Sequence, residues 1–253
     1  MDNPRFKNKI VFISGSTKGI GLEIAKSFYS EEACVIINGR NSSGIKKIQS
    51  QLPNSLFIPG DVSNPSVAKK IIKKINKLYG GLDVLVCNVG SGRSVKPGKE
   101  NYDEFKKMID INFFSAFNLI NDAQQLISKR KGSIVCISSI CGSESIPGAP
   151  ITYSVAKAAL NHYVKFVSKP LAKRNIRINA ITPGNILFEG SVWEKKIKNN
   201  KKMVYKMISD NVDLNRFGST KDVASLVLFL SSEMSSFVTG SIWKVDGGQT
   251  KSI

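Results

Sequence analysis

The feature that most limits the fold of this chain is a regular alternation of short apolar runs with longer amphipathic segments. The runs are rich in β-branched residues and continuously apolar, which is typical of strands buried on both faces. They are Ile10–Ser14, Cys34–Asn38, Ser55–Pro59, Leu82–Cys87, Ser133–Ser138, Arg177–Thr182 and Ser241–Val245. The segments between them have helical periodicity and are Gly19–Glu31, Ser43–Gln51, Pro65–Tyr79, Tyr102–Ser128, Thr152–Lys173, Val192–Ser209 and Lys221–Ser231.

This alternation predicts an α/β fold, a doubly wound parallel sheet of about seven strands with helices on both faces, of the Rossmann type. No linker, repeat or shift in composition divides the chain, so we predict a single domain over residues 1–253. The lysine-rich segment 185–211 is unusually long for a connection in such a domain. Because it follows a strand whose carboxyl end meets the ligand-binding edge, we expect it to form a lid over the substrate.

The composition excludes several classes of protein. Hydrophobic residues make up 42% and charged residues 22%, which is ordinary for a globular protein. No run reaches the roughly 18 apolar residues that a membrane span needs, and the polar segment Met1–Lys9 leaves no room for a signal peptide. The four cysteines form no C-x-x-C pair and have no cluster of histidines beside them, so we expect buried thiols and no metal. The sequence therefore predicts a cytoplasmic protein.

The net charge of +18, from 37 Lys+Arg against 19 Asp+Glu, raises the question of nucleic-acid binding. The lysine clusters fall on different predicted helices rather than on one segment. Lysines spread in this way usually form a solvated surface, so we expect no nucleic-acid partner.

A glycine-rich turn joins the first strand to the first helix. It comprises Gly15, Ser16, Thr17, Lys18, Gly19, Ile20 and Gly21. Glycines at such a junction allow a tight turn and a close approach of backbone N–H groups to a pyrophosphate, which the helix N-terminus also attracts. The position of this turn in an α/β chain predicts a dinucleotide site.

The end of the second strand indicates which dinucleotide binds. NAD sites usually carry an acidic residue there for the ribose 2′-hydroxyl, whereas this chain has Arg40 and no acid. A guanidinium, with Lys18 nearby, suits a 2′-phosphate, so we predict NADP(H) in preference to NAD(H). Asp61, followed by Val62, could accept a hydrogen bond from the adenine amine, or it could cap a turn.

Tyr153 and Lys157 stand four residues apart on one face of a predicted helix. A phenol with a pKa of about 10 is a poor acid or base at neutral pH, and a nearby ammonium favours its ionised form. Ser139 ends a preceding strand, and Pro183-Gly184 follows the next one. Together these residues indicate an active site for proton transfer.

The whole chain resembles the short-chain dehydrogenase/reductase family. The matching landmarks are Gly15/Gly19/Gly21, Asp61-Val62, Asn88-Val89-Gly90, Asn112, Ser139, Tyr153, Lys157, Pro183-Gly184, Arg216-Phe217-Gly218 and Asp246-Gly247-Gly248. The resemblance implies that Tyr153 is the general acid or base, that Ser139 binds the substrate carbonyl, that Lys157 holds the nicotinamide ribose, and that Asn112 anchors a proton-relaying water. It also implies that Asn88 and Gly90 flank the cofactor and that Pro183, Gly184 and Ile186 touch the nicotinamide. Phe188 replaces a threonine that is frequent in the family, and Ser138 is expected to be structural.

Among family members the chain looks most like 3-oxoacyl-[acyl-carrier-protein] reductases, in which the positions of Arg130 and Arg174 dock the acidic carrier. This resemblance implies fatty acid biosynthesis and an acyl carrier protein as partner. The family also implies a homo-oligomer, a dimer or a tetramer, in which the long helices pair at one interface and the Trp243–Gly248 region packs at another.

Two other functions stay open. One is reduction of a sugar or another small polar carbonyl compound, for which the expected substrate residues are Ser91, Arg93, Phe188 and Trp193. Arg93 could bind a carboxylate or a phosphate, and Trp193, in the lid, could stack on a sugar face. The other is a non-catalytic NADP-binding sensor or nucleic-acid binder. The complete set of Asn112, Ser139, Tyr153 and Lys157 argues against the second.

Overall fold

The computed structural model describes residues 4–42 and 44–252. Seven strands form one parallel sheet in the order β3-β2-β1-β4-β5-β6-β7. They are β1 (Ile10–Ile13), β2 (Cys34–Gly39), β3 (Leu56–Pro59), β4 (Val84–Cys87), β5 (Ser133–Ile137), β6 (Arg177–Pro183) and β7 (Ile242–Val245). The predicted α/β fold is confirmed. The ends of the predicted domain, 1–3 and 253, and Ser43, where the second helix was expected to begin, lie outside the described residues.

Nine α-helices connect or follow these strands in the described part of the chain. They are α1 (Gly19–Ser30), α2 (Ile45–Gln51), α3 (Pro65–Tyr79), α4 (Tyr102–Ile109), α5 (Ser115–Ser128), α6 (Ile151–Ala172), α7 (Val192–Asn199), α8 (Lys201–Asn211) and α9 (Thr220–Ser231). None of the described helices is long and apolar enough to cross a membrane.

The strands are continuously apolar because helices cover the sheet on both sides. Phe12 and Ile36 point into one core, to which α3, α5 and α6 contribute. Val11 and Ile13 point into the other, which contains residues of α1 and α9. Burial of apolar surface stabilises the fold by about 25 cal/mol per Å². Because both faces of the sheet are buried, the strands are apolar over most of their length.

Two segments that were expected to be continuous helices are interrupted. A single π-helical turn, Asp110–Phe114, separates α4 from α5. Asn200, with φ −155°, separates α7 from α8, and its side chain accepts a hydrogen bond from the N–H of Met203, which caps α8. The first interruption positions Asn112 and the second shapes the 185–211 segment.

Strand β1 pairs with β2 on one side and with β4 on the other. The strands that follow are therefore added on opposite sides of β1, so the connections on the two sides diverge and a crevice opens between them at the carboxyl ends of the strands. The functional residues gather along this crevice.

Candidate active site

A cavity of about 1270 Å³ runs along the carboxyl edge of the sheet. It exceeds the roughly 300–1,000 Å³ of a site for one small ligand, so it has room for a dinucleotide and a substrate. Most of the predicted site residues line it, namely Gly15, Thr17, Lys18, Gly19, Ile20, Gly21, Arg40, Asp61, Val62, Asn88, Gly90, Ser91, Ser139, Tyr153, Lys157, Pro183, Gly184, Ile186, Phe188 and Trp193. Ser16, Arg93 and Asn112 are not among the described lining residues.

The phosphate loop at one end of the cavity depends on its glycines. Gly15 has a φ of +61°, in the left-handed region that glycine adopts without strain. A Cβ on Gly21 would collide with the Asn88 side chain and lie 2.5 Å from the Gly15 carbonyl oxygen. Helix α1 has no side-chain cap at its N-terminus, so its first N–H groups remain available for a phosphate.

A hydrogen-bond network that the sequence analysis missed holds this loop. Asn38, at the end of β2, donates to the carbonyls of Ile58 (2.9 Å) and Gly60 (3.1 Å) and accepts from the Gly15 N–H (3.3 Å). The buried Ser16 hydroxyl donates to the Ile13 carbonyl at 2.7 Å and accepts from the Asn38 N–H at 3.0 Å. Ser16 therefore stabilises the loop from behind. The sequence does contain a clue to the role of Asn38, because it is a polar residue inside an otherwise apolar strand.

Asn88 fixes the loop from the other side. Its Nδ2 donates to the carbonyls of Ser14 (3.1 Å) and Gly15 (2.9 Å), and its backbone N–H donates to the Ser14 hydroxyl at 3.0 Å. These contacts join the ends of β1 and β4. They place Asn88 at the floor of the crevice, as the resemblance implied.

The adenosine end of the cavity contains Lys18, Arg40 and Asp61. Two cations at this end match the charge of a 2′-phosphate. The Asp61 carboxylate accepts from the N–H of Ser63 (3.0 Å) and from its hydroxyl (2.7 Å), so it caps the turn before α3. The phosphate loop and these cations fit NADP(H).

The catalytic residues meet at the other end, where β5 leads towards α6. Tyr153 and Lys157 lie on the first turns of α6, and Ser139 hydrogen-bonds the Tyr153 phenol. Burial raises the pKa of Tyr153 to about 12, although that hydrogen bond acts to lower it. Burial also lowers the pKa of Lys157 to about 8, and its ammonium donates to the Ile137 carbonyl at 2.8 Å.

The raised pKa differs from the sequence-based expectation that the Lys157 ammonium would favour the phenolate. Desolvation is the dominant influence on Tyr153, and it favours the neutral phenol. At neutral pH the phenol therefore keeps its proton, which is the form needed to donate to a developing alkoxide.

Asn112 lies behind the cavity wall and is fully buried. Its Oδ1 accepts from the Ser91 N–H at 2.8 Å, and its Nδ2 donates to the carbonyls of Ser91 (3.2 Å) and Met108 (3.1 Å). A Cβ on Gly90 would lie 3.0 Å from Asn112 Oδ1 and 3.1 Å from Lys157 Nζ. The glycine therefore leaves the space between Asn112 and Lys157 open.

Ser138 and Ser139 take different positions. The buried Ser138 hydroxyl donates to the Lys157 carbonyl at 3.3 Å and is structural. Ser139 accepts from the Cys141 N–H at 3.2 Å, and Gly142 then packs so closely on α6 that a Cβ would lie 2.5 Å from the Lys157 carbonyl carbon. The four thiols were expected to be buried. Cys87 and Cys136 are buried and Cys141 is half-buried, but Cys34 is exposed because it occupies the first position of β2.

Many residues of the segment 185–211 line the cavity. The Phe188 ring lies over the phosphate loop, where a Cβ on Gly19 would be 2.6 Å from it. Trp193 packs on Phe217 with ring centroids 5.6 Å apart. Arg93, expected to bind a substrate group, instead donates to the Gly190 carbonyl at 3.0 Å.

Additional lining residues come from distant parts of the chain. Examples are Asn185, Lys196, Met203, Met207 and Gln249. Gln249 could not be predicted from the residues around it in the sequence. It reaches the cavity because the C-terminal segment packs beside Gly184.

Arg130 and Arg174 lie away from the mouth of this cavity. Arg130 lines a separate small cavity with Lys9 and Asp83, near the amino ends of β1 and β4. Arg174 follows the C-terminal end of α6 and donates to Gln124 Oε1 at 2.6 Å. Within one chain, these arginines are at the opposite edge of the sheet from the catalytic residues.

The comparison with known proteins agrees with this geometry. A family model described as enoyl-(acyl carrier protein) reductase matches residues 15–250. The 3-oxoacyl-[acyl-carrier-protein] reductase of Aquifex aeolicus is 32% identical over 252 residues, covering 96% of this chain and 98% of that protein. That of Chlamydia muridarum is 33% identical, covering 97% and 99%.

A solved structure with the same fold contains ligands of the expected kind. The crystal structure of L-sorbose reductase from Gluconobacter frateurii, complexed with NADPH and L-sorbose, superposes with a TM-score of 0.91 at 26% identity, and the match covers 100% of both chains. The fold, the phosphate loop and these relatives agree with the resemblance drawn from the sequence. The chain therefore belongs to the short-chain dehydrogenase/reductase family and is an NADP(H)-dependent oxidoreductase.

Proposed function

We propose that the protein reduces the 3-oxo group of an acyl thioester carried by an acyl carrier protein, with NADPH as the reductant. The observation that carries this proposal is the meeting of Ser139, Tyr153 and Lys157 in a cavity that begins at a phosphate loop. In the reaction the carbonyl carbon gains a hydride and its oxygen gains a proton, which gives a secondary alcohol.

The two hydroxyl groups have distinct roles in this proposal. Ser139 donates a hydrogen bond to the carbonyl oxygen, where negative charge develops. Tyr153 donates its proton to the same oxygen, and a pKa of about 12 keeps that proton available at neutral pH. Both side chains line the same part of the cavity before substrate binds, so little reorganisation is needed in the transition state.

NADPH supplies the hydride when it is bound. The residues proposed to hold it are the phosphate loop for the pyrophosphate, Lys18 and Arg40 for the 2′-phosphate, and Lys157 for the nicotinamide ribose. Pro183, Gly184 and Ile186 would border the nicotinamide. Asn112, facing Lys157 across Gly90, would position a water that returns a proton to Lys157.

The choice of an acyl thioester rests on the curated relatives and on the substrate end of the cavity. Apolar side chains from the lid and from the segment after β5 line this end, including Ile140, Ile146, Val204, Met203 and Met207. Such a surface suits an acyl chain.

The second candidate is reduction of a ketose or a similar polar compound. Asn185 Nδ2 and Gln249 Oε1 are buried at the cavity and have no hydrogen-bond partner among the described residues. Buried polar atoms of this kind are costly unless they are paired, and the hydroxyl groups of a sugar would pair with them. L-sorbose in the similar structure supports this alternative.

Three finer features belong to the same proposal. Segment 185–211 acts as a lid within a single domain, because α7 and α8 cover the cavity and Asn200 makes a joint between them. The protein works in the cytoplasm. It assembles as a homodimer or homotetramer, since the aromatic side chains of Phe166 on α6 and of Phe114 in the π-helical turn before α5 are exposed on one chain.

The test is NADPH oxidation with acetoacetyl-[acyl carrier protein], measured against a panel of ketoses. Tyr153→Phe should lower kcat at least 10²-fold, the usual contribution of a general acid, and leave the Kd for NADPH within about twofold. Tyr163→Phe is the matched control, because this tyrosine also lies on α6 but packs against Phe113 and Phe117, and it should keep full activity. An active Tyr153→Phe variant would refute the mechanism, and turnover of ketoses alone would select the second candidate.

A further inference from the structure

The charged residues that line the catalytic cavity divide between its two ends. Lys18 and Arg40 lie at the adenosine end, and Lys157 is buried beside the catalytic tyrosine. Among the described lining residues, Lys196 of α7 is the one other cation, and Asp61, at the adenosine end, is the one carboxylate. The substrate end therefore has a positive charge and no acidic side chain to balance it.

Contacts within α7 hold Lys196 without neutralising it. Its Nζ lies 4.4 Å from the centre of the Trp193 ring, a cation–π distance that orients an ammonium and leaves its charge intact. The acidic residue of α7, Glu194, is occupied elsewhere: it pairs with Lys198 at 3.4 Å and accepts from the Gly190 N–H at 2.7 Å. Lys196 has no ion pair in the part of the chain described.

The charge of Lys196 reaches the catalytic end of the cavity. Burial raises the pKa of the Cys141 thiol, and the Lys196 ammonium is among the influences that act against this rise. The Cys141 N–H is bonded to the hydroxyl of Ser139 at 3.2 Å. The Lys196 ammonium is therefore close enough to the segment Ser139–Cys141 to act on it electrostatically.

Arg93, the residue expected from the sequence to bind an anion, is not placed to do so. Its guanidinium is bound to the Gly190 carbonyl and does not line the cavity. It secures the loop from which α7 begins. Lys196, and not Arg93, is the cation that lines the cavity near the lid.

We propose that Lys196 binds a phosphate group on the part of the substrate that extends from the reacting carbonyl towards the lid. This inference rests on the proposed carbonyl reduction at the same cavity. Two sources supply such a group: the phosphate of a phosphopantetheine arm, or a phosphate on a ketose. A substrate without it would be reduced with the same chemistry but bound more weakly.

The test compares two pairs of substrates that differ only in a phosphate. The pairs are acetoacetyl-4′-phosphopantetheine with acetoacetyl-pantetheine, and fructose 6-phosphate with fructose. For at least one pair, KM for the phosphorylated member should be about fivefold lower, with kcat within twofold, because an ion pair with an exposed lysine contributes up to about 1 kcal/mol. The preference should shrink at high salt, since the lysine is exposed.

Three variants assign the effect to this residue. Lys196→Gln should remove the preference, and Lys196→Arg should retain most of it. Lys195→Gln is the control, because Lys195 is also exposed on α7 but does not line the cavity, and it should behave like the wild type. The inference is overturned if neither phosphorylated compound is preferred, if Lys196→Gln keeps the preference, or if Lys195→Gln loses it equally.

A binding measurement separates this inference from the proposed function. The NADP⁺-bound protein is titrated with 4′-phosphopantetheine, pantetheine, fructose 6-phosphate and fructose by calorimetry. A phosphate-dependent affinity that disappears in Lys196→Gln supports the inference even if no substrate is turned over. Equal affinities within both pairs contradict it even if the protein proves to be an active reductase.

Discussion

At the scale of single residues, the buried ammonium of Lys157 serves the reaction and lowers the stability of the folded protein. This ammonium is almost completely buried, and burial lowers its pKa from 10.5 to about 8. A difference of this size corresponds to about 3 kcal/mol at 1.36 kcal/mol per pH unit. The free energy of unfolding is therefore lower at pH 7 than it would be with a neutral side chain in this place.

Lys157→Met should therefore be inactive and yet more stable than the wild type. The methionine removes the buried charge but leaves the Ile137 carbonyl without its 2.8 Å partner, a loss of about 1–2 kcal/mol. The net gain expected at pH 7 is about 1–2 kcal/mol in the free energy of unfolding, measured by urea denaturation.

The pH dependence of this difference has a defined sign. The folded-state pKa of Lys157 lies below its unfolded value, so between about 8 and 10.5 the unfolded chain binds more protons and the stability of the wild type rises with pH. The variant has no such group. The wild type should gain about 2.5 kcal/mol between pH 7 and pH 10, so the advantage of the variant should vanish and then reverse, and a difference that stays constant would contradict the buried charge as its cause.

At the scale of secondary structure, Asn38 links three strands to the phosphate loop. Asn38→Ala removes its bonds to the Ile58 and Gly60 carbonyls and to the Gly15 N–H. Unpaired buried groups cost about 1–3 kcal/mol each, so the loss of three bonds should lower the free energy of unfolding by at least about 3 kcal/mol. Because the loop loses its support, the Kd for NADPH should also rise, about tenfold, in a fluorescence titration.

Asn179 provides a matched control for this prediction. It is equally buried, lies in β6, and makes comparable bonds, to the Val238 carbonyl at 2.9 Å and from the Ser241 N–H at 3.1 Å. Asn179→Ala should lose similar stability while the Kd for NADPH stays within about twofold. Equal weakening of NADPH binding in both variants would mean that general destabilisation, and not the loop, sets the affinity.

The sequence was sufficient for the strands and for the cavity residues near their ends. Apolar runs such as Ile10–Ser14 carry their own signal, since burial on both faces requires it. The π-helical turn Asp110–Phe114 carries none, because Asn112 is fixed there by the backbone of Ser91, which is distant in sequence. The sequence does not distinguish Lys196 from the other lysines, because only the position of α7 beside the cavity gives it a role. Features set by neighbouring residues could be predicted from the sequence, whereas contacts between residues that are distant in the sequence could not.

At the scale of the whole molecule, an aromatic surface on α5 and α6 lacks a covering partner in one chain. Phe166 is 76% exposed and stacks on His162, and Phe114, in the π-helical turn before α5, is 39% exposed. Phe114 packs on Phe113 and Phe117, which in turn pack on Tyr163 of α6. Exposed aromatic side chains on these neighbouring elements indicate an interface.

Pairing of two copies through this surface would also bring Arg174 to a second active site. Tyr153 lies near the amino end of α6 and Arg174 just beyond its carboxyl end, and 22 helical residues span about 33 Å. In an antiparallel pair related by a two-fold axis, the carboxyl end of one α6 lies beside the amino end of the other. The arginines that are remote from the cavity in one chain would then stand near the cavity of its partner, where an acidic carrier would approach.

Phe166→Glu should therefore separate the copies and weaken the use of a carrier-bound substrate. Sedimentation velocity should show a smaller species, because two buried carboxylates at a two-fold interface repel each other and are desolvated. We expect kcat/KM for acetoacetyl-[acyl carrier protein] to fall about tenfold and that for acetoacetyl-pantetheine to fall less, since only the carrier needs the second copy. Leu78→Glu, at an apolar residue on α3 that is 53% exposed, should change neither quantity. A Phe166→Glu variant that sediments like the wild type would exclude this surface as the interface, and an equal loss on both substrates would exclude a role for the second copy in carrier docking.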